Sequence, residues 1–316
     1  MQSGNISIRA RLEVILVCVG FLVSPLTRAA AADGEKLKVV ATISMIGDWT
    51  HQVGGEDISL TTLVGPDGDP HEYEPVPADS LKLAQAAVIF ENGFGLETWL
   101  PKLCDSAQTD AARVVVTRGI KVRHVPDSQG QQTTGNQDDR DPHEWQNVRN
   151  AIVCVGNICD ALVKADPPHA DRYNARAQAY EKQLEELDSY IAAKIDSIPA
   201  NLRKLVTSHD GFEYFGQRYG VNTSRSALES VTTEAADPSA RQIAEVVDQI
   251  KASGVPVIFL ENIQNPKLIN QIASEANVKV GPPLYSDALG QPGTAGDTYL
   301  KMMKYNADAL ANSLKP

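Results

Sequence analysis

The chain has 316 residues, 42% of them hydrophobic and 22% charged, which excludes an intrinsically disordered protein and leaves room for about two domains. Its net charge of −11 argues against nucleic acid or an anionic membrane face as the main partner. At this length, hydrophobic cores form without disulfide staples.

The chain opens with the pattern of a secretory signal peptide over residues 1–32: Arg9 and Arg11, an apolar run from Val14 to Val23, Pro25, and small residues at Ala29–Ala32. The apolar run is shorter than the ~20 residues that a spanning helix needs, so stable membrane insertion is not expected. Cys18 follows Val17 where a lipoprotein signal would place a small residue, so the leader predicts a freely soluble periplasmic product. Its removal takes away three cations and one anion and leaves the chain more acidic, with Cys104, Cys154 and Cys159 as the remaining cysteines. Cys154 and Cys159 stand in an apolar helical stretch without zinc-cage spacing and read as small buried hydrophobes.

Leu37–Ile43 reads as a buried strand, Ile46–Gly54 as a helix and Ile58–Val64 as the next strand, ahead of a Gly/Pro/Asp loop. Pro77–Ala86 and Leu96–Cys104 read as helices, Val88–Glu91 and Val114–Thr117 as strands. The alternation signals parallel βαβ units. From Val125 to Asp141 almost no apolar residue occurs, which predicts a solvated loop, and Trp145–Lys164 then reads as a helix. Tyr173, Ala177, Tyr180, Leu184, Leu187, Ile191 and Ile195 mark one face of a long helix over about 170–198. After Pro199 the pattern restarts, with strands at Leu205–Ser208, Val221–Ser224, Val255–Leu260 and Val278–Val280. Helices are expected at Phe212–Tyr219, Ala240–Ala252, Pro266–Ala276 and Thr298–Asn312. The fold class is therefore α/β. A leader (1–32) precedes two (β/α) lobes (33–167 and 200–316) joined by a single long backbone helix (168–199), with the ligand in the cleft between the lobes.

The chain has only six histidines, and their placement carries the chemistry. His71 lies in the loop after the second strand, His143 at a helix entrance and His209 at a strand end, while Asp287 follows the last strand. Three imidazoles and one carboxylate make a closed tetrahedral set for a borderline divalent ion such as zinc. Singly, each has a blander reading as a surface or capping residue. His51 and His169 sit in helical surroundings without metal partners. His124, with Asp127, Asp138 and Asp139, offers at most a weak auxiliary site in a solvated loop.

The segments Pro70-His71-Glu72-Tyr73-Glu74-Pro75, Asp141-Pro142-His143-Glu144-Trp145, Ser208-His209-Asp210-Gly211-Phe212-Glu213-Tyr214-Phe215 and Leu284-Tyr285-Ser286-Asp287-Ala288-Leu289 resemble the metal-ligand segments of the zinc/manganese solute-binding proteins of bacterial ABC importers (cluster A-I). Phe259-Leu260-Glu261-Asn262 and Tyr299–Asn306 match as well, so the resemblance runs through the whole mature chain. It implies His71, His143, His209 and Asp287 as ligands of one metal, and handover from a monomer to a membrane permease. The resemblance also bears on the metal: in that family Glu at the third ligand position accompanies manganese or iron and His accompanies zinc. His209 therefore points to zinc, with manganese or iron as the alternative. The loop of this chain lacks the His-rich tract of many zinc members, and this keeps manganese in view.

A rival of another class is a zinc hydrolase with an open coordination position and Glu72, Glu144 or Asp210 as base. A fourth protein ligand at Asp287 would close that position and favours binding over catalysis. No nucleophile elbow, Walker A or dinucleotide fingerprint stands in the right context.

Overall fold

A computed structural model describes residues 1, 35–125, 140–207, 209–223, 239–263 and 266–315. The leader, Asp127, Asp138, Asp139, Ser208 and Ser224 lie outside the described residues.

Strands β1 (Leu37–Ala41), β2 (Ile58–Thr62), β3 (Val88–Glu91) and β4 (Ala112–Val115) form a parallel sheet in the order β2-β1-β3-β4. Both faces of its central strands are buried, which is why Val39-Val40-Ala41 and Val88-Ile89-Phe90 read as unbroken apolar runs. Helices α2 (Pro77–Ala84) and α3 (Leu100–Ala107) cover one face, where Val40 and Ile89 meet Leu83, Leu100 and Leu103. Helices α1 (Ser44–Gly54) and α4 (Val148–Ala165) cover the other.

The second half repeats this plan in miniature. Strands β5 (Lys204–Leu205) and β6 (Asn222–Thr223) pair in parallel, as do β7 (Val257–Ile258) and β8 (Lys279–Val280). A parallel bridge between Thr207 and Phe259 joins the two pairs, so the order is β6-β5-β7-β8, the arrangement of the first sheet. Helices α7 (Ala240–Ser253) and α8 (Pro266–Ala276) pack on the outer face through Val247, Ile250, Ile269 and Ile272. Helices α6 (Glu213–Tyr219) and α9 (Tyr299–Leu314) line the inner face.

Helix α5 (Ala170–Asp196) has 27 residues, about 40 Å at 1.5 Å per residue. All seven stripe residues are buried, packed with α1 and α4 on one side and α6 and α9 on the other. Three carboxylates pin it. Asp57 receives Arg172 and Arg176 at 2.9 and 2.7 Å, and Asp308 receives Lys194 and the Tyr190 hydroxyl, each at 2.7 Å. Between them, Asp188 interrupts the apolar stripe. It accepts from Arg149 of α4 at 2.8 Å and from Arg218 and Tyr219 of α6, each at 3.0 Å. These ties and a core shared by both halves unite the described residues from Lys36 onward in a single compact unit.

Several expected boundaries move for local reasons. The helix expected from Leu96 starts at Leu100, with Pro101 in its first turn, where the missing amide has no helical partner to lose. The helix expected from Trp145 divides into a 3₁₀ turn, Glu144–Gln146, and α4, because extended Asn147 caps α4 by accepting from the Arg149 amide at 3.0 Å. The second sheet's strands are shorter than expected: Pro256 precedes β7 and Pro282-Pro283 follow β8, and proline offers no amide to a ladder. Asp141, expected to end a solvated loop, is 2% exposed. The bridge between His124 and Arg140 closes the base of that loop, of which 126–139 lie outside the described residues.

Removing the Asp188 carboxylate leaves two guanidinium groups facing each other between the helices. Because both arginines are partly exposed, Asp188→Ala should cost about 2 kcal/mol, less than a fully buried pair would. A urea unfolding midpoint equal to that of the wild type would contradict this.

Candidate metal centre

Each candidate side chain lies beyond the carboxyl end of a strand: His71 after β2, His143 after β4, His209 after β5 and Asp287 after β8. Open parallel sheets bind ligands on this side. The His71 loop is held by its own hydrogen bonds. Asp69 accepts from the His71 amide at 2.8 Å, the Trp99 indole donates to the Pro70 carbonyl at 3.3 Å, and the Tyr73 hydroxyl donates to Asp79 at 2.7 Å.

The loops from the two sheets are also tied to one another. The Asp67 amide donates to the Leu289 carbonyl at 2.8 Å, and Asn262 Nδ2 donates to Asp67 Oδ1 at 3.0 Å. Trp145 Nε1 and Gln146 Nε2 both donate to the Ser286 carbonyl, at 2.8 and 2.9 Å, which fixes the residue before Asp287 against the turn after His143.

One donor atom from each of His71, His143, His209 and Asp287 falls in a set whose members all lie within 4.8 Å of one another. His143 Nε2 is 3.2 Å from His71 Nε2 and 3.3 Å from His209 Nε2. Asp287 Oδ2 is 3.6 Å from His71 Nε2 and 3.1 Å from His209 Nε2, while its Oδ1 is 3.6 Å from His143 Nε2. A tetrahedron of donors around an ion at 2.0–2.1 Å has edges of about 3.3 Å. With Asp287 Oδ2 as the fourth vertex, the four measured edges (3.2, 3.3, 3.6 and 3.1 Å) lie within a few tenths of an ångström of that value. Gly211 preserves the space, since a Cβ there would sit 2.8 Å from His209 Nε2 and 3.6 Å from Asp287 Oδ1.

The electrostatics fit a cation. Asp287 is 1% exposed, and among the described residues neither oxygen accepts a well-formed hydrogen bond. Burial pushes its carboxyl up, but the His209 and His143 imidazoles outweigh that and hold it well below the usual carboxylate range. Burial likewise pulls His209 down, yet the Glu261 and Asp287 carboxylates lift it well above the ordinary imidazole value. His71 is also raised, with Asp287 overcoming burial; its side chain, 39% exposed, is the solvent-facing member.

Two further carboxylates aim the rings. Asp141 Oδ1 meets His143 Nδ1 at 2.8 Å and accepts from the His143 amide at 3.0 Å. Glu261 Oε1 accepts from the His209 amide at 2.9 Å, and its Oε2 contacts His209 Nδ1. With Nδ1 engaged, each ring presents Nε2 to the centre, the arrangement in which a neutral imidazole donates to a metal. Sequence reasoning gave neither residue this role. The available signals were a carboxylate two residues ahead of His143 and one at the end of a strand.

The remaining histidines stay apart: His51 lies in α1, and His169 Nδ1 pairs with Asp166 at 2.6 Å. Cys104, Cys154 and Cys159 are free thiols outside the set. Glu144, one nominated base, points away into the core, accepting from Asn92 Nδ2 at 3.1 Å.

Residues 39–313 match the family described as zinc-uptake complex component A, periplasmic (ZnuA). The chain belongs to the ZnuA family. Members are solute-binding components of metal ABC importers, not enzymes, and this chain is one of them. It is 34% identical to the manganese-binding lipoprotein MntA of Halalkalibacterium halodurans, over 94% of this chain and 98% of that protein. It is 35% identical to the manganese ABC transporter substrate-binding lipoprotein PsaA of Streptococcus anginosus, over 90% of this chain and 91% of that one. Among solved structures, the periplasmic zinc-binding protein TroA of Treponema pallidum superposes with a TM-score of 0.78 at 31% identity, covering 89% of this chain and all of TroA. A manganese-bound periplasmic metal-binding protein of Candidatus Liberibacter asiaticus gives 0.75 at 25% identity, covering 89% of this chain and 100% of that one. The ZnuA-family fold therefore spans both lobes and α5. Among the described residues no helix is long and apolar enough to cross a membrane.

In metal-free protein the His209 imidazole should titrate above the ordinary value of ~6.5, and Glu261→Gln should bring that midpoint down. Histidine-resolved NMR titration checks this; an unmoved midpoint would contradict the role given to Glu261.

Proposed function

We propose that the mature chain captures one zinc ion between His71, His143, His209 and Asp287 after export behind the leader at residues 1–32. As a monomer, it then presents the ion to its membrane permease. The convergence of four donor atoms within 4.8 Å carries this reading. The nitrogen-rich donor set supports zinc, because imidazole suits a borderline ion better than the harder Mn²⁺. Manganese is the second reading. It is favoured by the names of MntA and PsaA and by the two Asp287 oxygens, which face different imidazoles and supply a fifth donor.

A fourth protein ligand at Asp287 leaves no vacant tetrahedral position for a reacting water, which favours storage and transfer over hydrolysis. Binding requires neutral imidazoles, so the ion displaces protons on entry. Because His209 holds its proton to a higher pH than a free imidazole, competition from protons starts above the ordinary histidine range.

Elemental analysis of mature protein, purified from its native compartment without added metal or chelator, tests the assignment. About one zinc per chain, lost in Asp287→Ala, is expected. Manganese or iron at that stoichiometry would overturn zinc, and no metal in either native or zinc-soaked protein would overturn the site. Zinc affinity should also fall as the pH is lowered, by about tenfold per unit for each proton displaced. An affinity that stays flat between pH 8 and pH 5 would contradict histidine ligation.

A further inference from the structure

Arg123 occupies a position that neither the fold nor the donor set requires. It follows β4 on the N-terminal side, and its carbonyl accepts from the Asp141 amide at 3.0 Å. Its Nε donates to Asp141 Oδ2 at 3.3 Å, leaving Asp141 Oδ1 for His143. The same guanidinium reaches across to α6 of the second half, with Nη2 3.6 Å from Glu213 Oε2 and its carbon 5.7 Å from the centre of the Tyr214 ring. The Arg123 amide donates to the Tyr214 hydroxyl at 2.8 Å. Glu213 opens α6 four residues after His209, so Arg123 lies between the segments that carry His143 and His209.

We propose that Arg123 is a positioning residue for metal retention, clamping the Asp141–His143 pair against α6 so that His143 and His209 stay aimed at one ion. Without the guanidinium, Asp141 and Glu213 face each other as like charges across the same gap, and Asp141 Oδ2 loses the donor that fixes its rotation. The carboxylate that aims the His143 ring is then held through Oδ1 alone, by the His143 amide and Nδ1. Polar groups that orient metal ligands typically contribute 10–100-fold in affinity, and Arg123 sits one contact behind such a group.

This inference rests on the proposed metal site, and the experiment separates the two. Zinc-loaded wild type, Arg123→Gln, Asp141→Asn and the double variant are mixed with excess chelator, and zinc release is followed by stopped flow. Arg123→Gln should release zinc about tenfold faster than wild type. If Arg123 acts through Asp141, the double variant releases zinc no faster than Asp141→Asn alone. A wild-type rate in Arg123→Gln, or a double variant in which the two single effects multiply, would overturn the proposal. Should Arg123→Gln fail to melt cooperatively, Arg123→Lys takes its place. It keeps a cation near Tyr214 but cannot bridge both carboxylates, so release faster than wild type is expected and a wild-type rate overturns the proposal. Wild-type protein that takes up no zinc would instead sink the site itself.

Discussion

The structure depends on a buried carboxylate, Asp287, that nothing among the described residues fully satisfies. An ionised Asp287 costs several kcal/mol to bury in the absence of a compensating charge. Three imidazole nitrogens at 3.1–3.6 Å supply that charge in part, and only when protonated. On the proposed function, a divalent ion takes the place of those protons at the same centre. The mutual attraction of imidazole and carboxylate shifts His209 up and Asp287 down.

Such a cluster persists only if its members cannot relax away from each other, and the fold prevents that at two levels. Locally, Asp141 and Glu261 take the outer nitrogens of His143 and His209, and the Ser286 and Leu289 carbonyls tie the Asp287 loop to Trp145, Gln146 and Asp67. Globally, α5 is anchored along its length: its Arg172 and Arg176 reach Asp57, its Lys194 and Tyr190 reach Asp308, and its Asp188 receives Arg149 and Arg218 from the two halves. A brace pinned at three points opposes a wide hinge swing. On the proposed function, exchange of the ion falls to local movement of the ligand loops, of which the one bearing His71 is the most open to solvent.

The parts of this architecture that were legible in the sequence are those in which one residue type answers one physical demand. The buried face of α5 repeats at helical spacing because it packs along its whole length, and the central strands of the first sheet are apolar on both faces because helices cover both. The candidate donors stood out because histidine is scarce here and each lies at a strand end or helix start. What sequence reasoning missed depends on distant partners. Asp188 looks like an exposed helix residue until Arg149 and Arg218, 39 and 30 positions away, converge on it. Asp141 looks like loop until His143 and Arg123 enclose it, and Glu261 acquires its role from His209, 52 positions earlier. The second sheet was only partly legible, because flanking prolines cut the hydrogen-bonded ladders shorter than the apolar runs.

The most direct test of the central claim, that three imidazoles and Asp287 hold a single ion, is X-ray absorption at the zinc edge of the loaded protein. About three imidazole nitrogens with one or two carboxylate oxygens are expected, all at about 2.0–2.2 Å, with no sulfur. A sulfur shell at about 2.3 Å, or the absence of imidazole scattering, would contradict it, because the ion would then sit at the cysteines or in water and not in this centre.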